Sequence, residues 1–119
     1  MDVRFEGSRP VYTQIAERII NMVLSGTYKP GEQLPTVRQL ALDVAVNPNT
    51  VQRAYAELEH NGLILSCGTA GRFVTEDPAV IEAVRKEVAV GKITTFAEEM
   101  KQLSMTSTEV MELVREVMA

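Results

Sequence analysis

Residues 34–62, LPTVRQLALDVAVNPNTVQRAYAELEHNG, constrain the fold more than any other stretch, because they carry start and stop signals for two short helices with almost nothing between them. Thr36 followed three residues later by Gln39 is a capping box, in which hydroxyl and carboxamide satisfy the exposed amides of a helix start. Leu40, Ala41 and Val44 then fall on one helical face, so this helix is short and amphipathic. Asn47 is a strong cap, and Pro48 suits the first helical position, where its missing amide hydrogen is no loss. Only Ala45 and Val46 separate the two helices. In the second, Val51, Ala54, Tyr55 and Leu58 form the buried stripe, and Asn61-Gly62 supplies the left-handed exit.

Two short helices, a tight turn and a polar leading edge on the second are the parts of a helix-turn-helix. Asn47, Asn49, Thr50, Gln52 and Arg53 cluster in the opening turns of the second helix, where a recognition helix presents side chains to base edges in the major groove. Asn and Gln bond an adenine edge bidentately, Arg a guanine edge, and Thr meets a phosphate or a thymine methyl. A polar N-P-N-T run alone also fits the solvated start of any helix; the amphipathic helix just before it favours DNA reading.

The chain has 119 residues, enough for one ordinary domain or a small domain with an appendage, and 45% of them are hydrophobic, enough for a core. No apolar run approaches a membrane span of 18 or more residues, and residues 1–9 lack the basic-then-apolar pattern of a signal peptide, so a cytoplasmic protein without a membrane partner is expected. One cysteine, Cys67, cannot form an intrachain disulfide, and with His60 it makes no ligand set for zinc. No nucleophile has a plausible His partner and no phosphate-cradling glycine motif occurs, so neither catalysis nor a cofactor is expected. The charge balance cuts the other way: a net charge of -4 is the opposite of the basic footprint of a nucleic-acid binder. Splitting the chain does not reverse it, since residues 1–77 hold 7 Lys and Arg against 9 Asp and Glu, and residues 78–119 hold 5 against 7. Placement matters more, because Glu57 and Glu59 come late in the second helix while Arg38 and Arg53 sit where a duplex would approach. Modest non-specific affinity follows, with discrimination left to base contacts.

Elsewhere, Arg9 and Pro10 precede an amphipathic helix whose apolar face is Tyr12, Ile15, Ile19, Met22 and Val23 and which stops at Ser25-Gly26. Leu63-Ile64-Leu65 and Phe73-Val74-Thr75 are short β-prone runs around Gly68-Thr69-Ala70-Gly71, which predicts a hairpin. From Asp77-Pro78 onward the pattern predicts three helices. The first carries Val80, Ile81, Val84 and Val88 and ends near Gly91; the second is capped by Thr95 with Glu98 and carries Phe96, Met100 and Leu103; the third is capped by Thr106 with Glu109 and carries Val110, Val114 and Val117. A tail this short cannot bury three such stripes alone. They must pack on the preceding domain, as in a monomer, on a second copy, or on both; a twofold homodimer is the favoured reading because it matches a palindromic operator.

The runs L-P-T-V-R-Q-L-A and V-N-P-N-T-V-Q-R-A-Y-x-E-L-E-x-x-G-L-I resemble the signature of the GntR superfamily of bacterial transcription regulators, and in so short a chain its YtrA-like branch. The resemblance covers roughly the first two thirds of the chain and implies a mainly α fold with a small β-hairpin: a winged helix-turn-helix over 1–77, then a helical dimerisation or effector segment over 78–119. It implies that Arg38 contacts DNA from the first helix of the pair, that Asn49 and Thr50 contact backbone or bases, and that the hairpin is a wing whose tip enters the minor groove. The full expected DNA-contacting set is Arg9, Arg38, Asn47, Asn49, Thr50, Gln52, Arg53, Gly71 and Arg72. Pro48 and Gln52 stand where better-known branches often have arginine, so adenine becomes the more natural base for Gln52. Gly68 stands where a basic wing residue is common; Arg72 either compensates or points away from DNA by strand alternation. The resemblance thus implies a repressor that binds double-stranded DNA as a homodimer, with room only for a small-molecule effector between helices or at the dimer interface. The alternative is a winged helix that has become a protein-interaction module without DNA binding.

Overall fold

The cap signals act where the sequence places them. In the computed structural model, which describes residues 4–119, helix α1 spans Val11–Leu24, α2 Val37–Val44 and α3 Pro48–His60. Residues 1–3, part of the stretch read above for a signal peptide, lie outside the described residues. The Thr36 hydroxyl accepts from the Gln39 amide at 3.1 Å, while the Thr36 amide donates to Gln39 Oε1 at 2.9 Å. Asn47 Oδ1 accepts from the Asn49 amide at 2.8 Å, and Pro48 opens α3. The turn between α2 and α3 closes through Ala45 at φ 56°, in the left-handed region, with the Val46 amide on the Ala41 carbonyl at 3.0 Å.

Strand β1 (Ile64–Ser66) pairs antiparallel with β2 (Arg72–Val74), with Leu65 opposite Phe73, and the tip between them is a single 3-10 turn over Gly68–Ala70. The strands are shifted one residue from the expected runs, because the ladder closes at Ser66 and Arg72 around that turn. The linker after α1 pairs with the outer edge of β2: the amides of Gly31 and Leu34 donate to the carbonyls of Val74 and Arg72, each at 2.9 Å. An edge that would otherwise present free polar groups is thereby covered.

The core of this unit is the face shared by α1, α2, α3 and the hairpin: Ile15 and Ile19, Leu40 and Val44, Val51, Ala54, Tyr55 and Leu58, with Leu63, Ile64 and Val74. Polar side chains are built into it as well. Gln14 is buried and uses its whole carboxamide on the segment before α1, accepting from the Glu6 amide at 2.8 Å and donating to the Glu6 and Arg9 carbonyls at 2.9 Å each. Tyr55 donates its phenol to the Pro35 carbonyl at 2.7 Å.

The tail differs from expectation in one respect. Helix α4 runs unbroken over Pro78–Gln102, so the first two expected tail helices are one, and α5 follows over Ser107–Met118. Gly91 does not stop the helix, and Thr95 does not cap a new one; its hydroxyl reaches back to the Gly91 carbonyl at 3.3 Å, as Thr94 does to Val90 at 2.8 Å. A mid-helix glycine costs about 1 kcal/mol relative to alanine, less than leaving several backbone groups without their i to i−4 partners. At α5 the Thr106–Glu109 capping box forms as expected. Compact units divide between Val84 and Arg85, inside α4, because its first turns belong with the winged unit: Val84 is buried there and Val80 lies beside Gly62.

Burial pushes the Tyr55 phenol well above its ordinary range, and burial with the charges of Glu32 and Asp43 raises Tyr28. The folded state therefore favours the neutral phenols. Their stabilisation is complete below the unfolded value of about 10 and is lost as pH rises above it. Urea unfolding of the parent should weaken steeply above about pH 10. Tyr55→Phe should cost about 1 kcal/mol at neutral pH, from the lost hydrogen bond, and should flatten that alkaline decline.

Candidate nucleic-acid interface

Helical geometry separates the residues of α3 by direction. Val51, Ala54, Tyr55 and Leu58 point into the core, Asn49, Gln52, Arg53 and Ala56 are exposed, and Glu59 is half-buried. The exposed group lies opposite the buried stripe at 100° per residue, which makes it the outward face of the second helix of a helix-turn-helix. Thr50, half-buried, sits at the edge of this face. Ala56 is the residue that the sequence reading passed over: at the centre of the outward face, its small side chain leaves room for another surface to approach.

Asn47 spends its oxygen on capping α3 and so fixes where the helix begins. Arg38 is exposed on α2, one turn before the exposed Leu42, and has no hydrogen-bond or ion-pair partner among the described residues. The other arginines of the expected DNA-contacting set are engaged internally. The Arg53 guanidinium lies 4.0 Å from the ring centroid of Tyr12 on α1, a close cation–π contact. Arg9 is drawn to α1: it pairs with Glu17 and, at 3.0 Å, with Glu6, and the Glu17 bond first and the Glu6 bond next hold its guanidinium even more firmly charged than usual.

The Arg72 side chain turns onto α3. Its Nε donates to Glu59 Oε1 at 2.6 Å, its terminal nitrogen to Gln52 Oε1 at 3.4 Å, and the guanidinium sits 5.3 Å from the Tyr55 ring centroid. The sequence held a signal for this grouping, because Gln52, Tyr55 and Glu59 recur at i, i+3 and i+7, one face of α3, and an arginine opposite that face completes it.

The wing tip explains its glycines. Gly68 has φ 59° and Gly71 φ 108°, backbone conformations that disfavour a side chain. The absent basic residue at position 68 is thus a consequence of the tight 3-10 turn. Gln33 clamps the tip from outside, donating through Nε2 to the Ala70 carbonyl at 2.9 Å, and a Cβ on Gly71 would come within 2.8 Å of that same nitrogen. Removing the clamp with Gln33→Ala should leave the urea midpoint within about 1 kcal/mol of the parent while speeding hydrogen exchange at the wing-tip amides, read by NMR. Unchanged exchange there would show that the turn holds itself.

Comparison with known proteins places this geometry among DNA-binding regulators. Residues 11–74, from the start of α1 to the end of β2, match the family described as bacterial regulatory proteins, gntR family. The HTH-type transcriptional repressor YtrA of Bacillus subtilis is 38% identical over 96 residues, covering 81% of this chain and 69% of its own length. The solved structure of a GntR family transcriptional regulator from Listeria monocytogenes superposes with a TM-score of 0.87 at 37% identity, covering 94% of this chain and 98% of that one. The DNA-binding domain of AraR in complex with operator ORX1 superposes with a TM-score of 0.59 at 29% identity over 63% of this chain and 96% of that one. Among the described residues, no helix is long and apolar enough to cross a membrane.

Proposed function

The chain belongs to the GntR family of bacterial regulatory proteins, and from that premise we propose that it is a transcription regulator, a repressor, that reads a palindromic operator in double-stranded DNA. The observation that carries this reading is the outward face of α3. Asn49, Gln52 and Arg53 are exposed on a helix whose other side is locked into the core, and the helix-turn-helix they belong to is shared with a relative solved on its operator. Asn49 and Gln52 meet base edges, Thr50 and Arg38 meet phosphate or the adjoining base, and Asn47 sets the register by capping α3. Gly71 acts by letting the wing tip turn, and Arg9 by fixing the segment ahead of α1.

Selection of bound sequences from a random DNA pool should yield a palindromic consensus, and affinity for it should fall with salt at a log-log slope of about -0.9 per phosphate neutralised. Arg38→Ala should weaken that binding by about 1–3 kcal/mol. A variant that titrates the operator like the parent would remove Arg38 from the interface, whereas a parent with no DNA affinity at any salt concentration would mark the fold as a protein-interaction module.

The dimer rests on the tail. From Arg85 onward no described residue is buried, and Val90, Ile93, Leu103, Met111, Leu113 and Val117 are large, apolar and exposed. Helices without a buried core need another surface, and a second copy supplies one while matching the twofold symmetry of a palindrome. Any effector then acts by favouring one of two dimer geometries, since only differential binding shifts such an equilibrium. Sedimentation at micromolar concentration should show twice the 13.2 kDa chain mass. A species of single-chain mass alone would defeat the dimer.

A further inference from the structure

Resting on the DNA-reading function above, we propose that Arg72 is a positioning residue that sets the base preference of Gln52: it holds the carboxamide with its oxygen turned away from the groove, so that Gln52 selects guanine rather than adenine.

The guanidinium of Arg72 is fixed from two sides. Glu59 Oε1 accepts from its Nε at 2.6 Å, and the Tyr55 ring lies 5.3 Å below. Both partners belong to α3, and the ion pair is sheltered, with the Arg72 side chain only 23% exposed and that of Glu59 31%. What remains is one edge of the guanidinium, whose terminal nitrogen lies 3.4 Å from Gln52 Oε1. A guanidinium carries donors only, so whichever end of the carboxamide meets it has to be the oxygen. Chemistry thus dictates the orientation, and the amide NH2 faces the other way.

That orientation changes what Gln52 can read. Bidentate recognition of adenine needs the carboxamide oxygen to accept from N6 while the nitrogen donates to N7. With the oxygen committed to a cation, the exposed end is a donor alone. Guanine presents two acceptors in the major groove, N7 and O6; adenine pairs one acceptor with a donor, thymine offers one acceptor beside a methyl group, and cytosine shows a donor. Guanine is therefore the best partner for a glutamine held in this way.

The test is selection of bound sequences with the parent, Gln52→Ala, Arg72→Met and the double variant. The position read by Gln52 is the one whose preference Gln52→Ala erases. The parent should carry guanine there. Arg72→Met should raise the adenine-to-guanine ratio at that position by about tenfold, the order of discrimination of a bidentate contact, and the double variant should show no preference. Arg72→Met binding every site more weakly with guanine still preferred would overturn the proposal, since a merely structural or phosphate-binding arginine behaves that way. So would any base other than guanine in the parent, or a consensus that Gln52→Ala leaves untouched. Should circular dichroism show Arg72→Met unfolded, Glu59→Gln loosens the same guanidinium while keeping its contact with Tyr55; the same shift is expected, and an unaltered guanine preference overturns the proposal equally. A parent that enriches no sequence fails at the earlier step, as a DNA reader, and is distinguishable from all of these.

Discussion

Tyr55 is the side chain on which the winged unit depends. Its ring is fully buried on α3, its phenol donates to the Pro35 carbonyl just ahead of α2, and its face lies beneath the guanidinium of Arg72 on β2. One residue thus ties the recognition helix to the chain entering its partner helix and to the wing. Burial of such a side chain contributes about 1.5–3 kcal/mol, but its larger effect is geometric. With Val51, Ala54 and Leu58 packed on the same side, α3 cannot rotate about its axis without breaking the phenol bond, so the direction of Asn49, Gln52 and Ala56 is set by the core.

What the sequence made legible is what short-range rules govern. The caps at Thr36, Asn47 and Thr106 depend on residues two or three positions apart, and all three form. The buried stripe of α3 follows from spacing alone and holds residue for residue. The same local logic misled at Thr95 and Glu98, which have the spacing of a capping box inside α4. A cap satisfies a helix start only if a helix has ended just before, and Gly91 was too weak a stop. Threonine has a second option, bonding the carbonyl four residues back, and that choice depends on whether the helix continues.

The candidate site was legible on α3 and much less so around it. The sequence puts Gln52, Tyr55 and Glu59 on one face of α3, but that Arg72 is the arginine meeting that face, and that Gln33 meets Ala70, depends on residues brought together only by the finished fold. The Gln14 carboxamide is a similar case. On α1 it reads as a polar residue beside an apolar stripe, yet it is buried, since the segment before the helix folds back to offer an amide and two carbonyls.

These internal bonds also bear on how an acidic chain reads a polyanion. Arg9, Arg53 and Arg72 are each held against a carboxylate or an aromatic ring, and the net charge is -4. An arginine bound in this way is expected to neutralise less phosphate charge than a free one and so to add less to sequence-independent affinity. It also has few rotamers left to lose on binding, and the side chains it touches are fixed before DNA arrives. Both effects lower the share of affinity that every sequence enjoys and raise the share that depends on base edges. For a regulator competing against a genome of wrong sites, the ratio matters more than the total, and an interface with few free cations and a preset polar face serves that ratio.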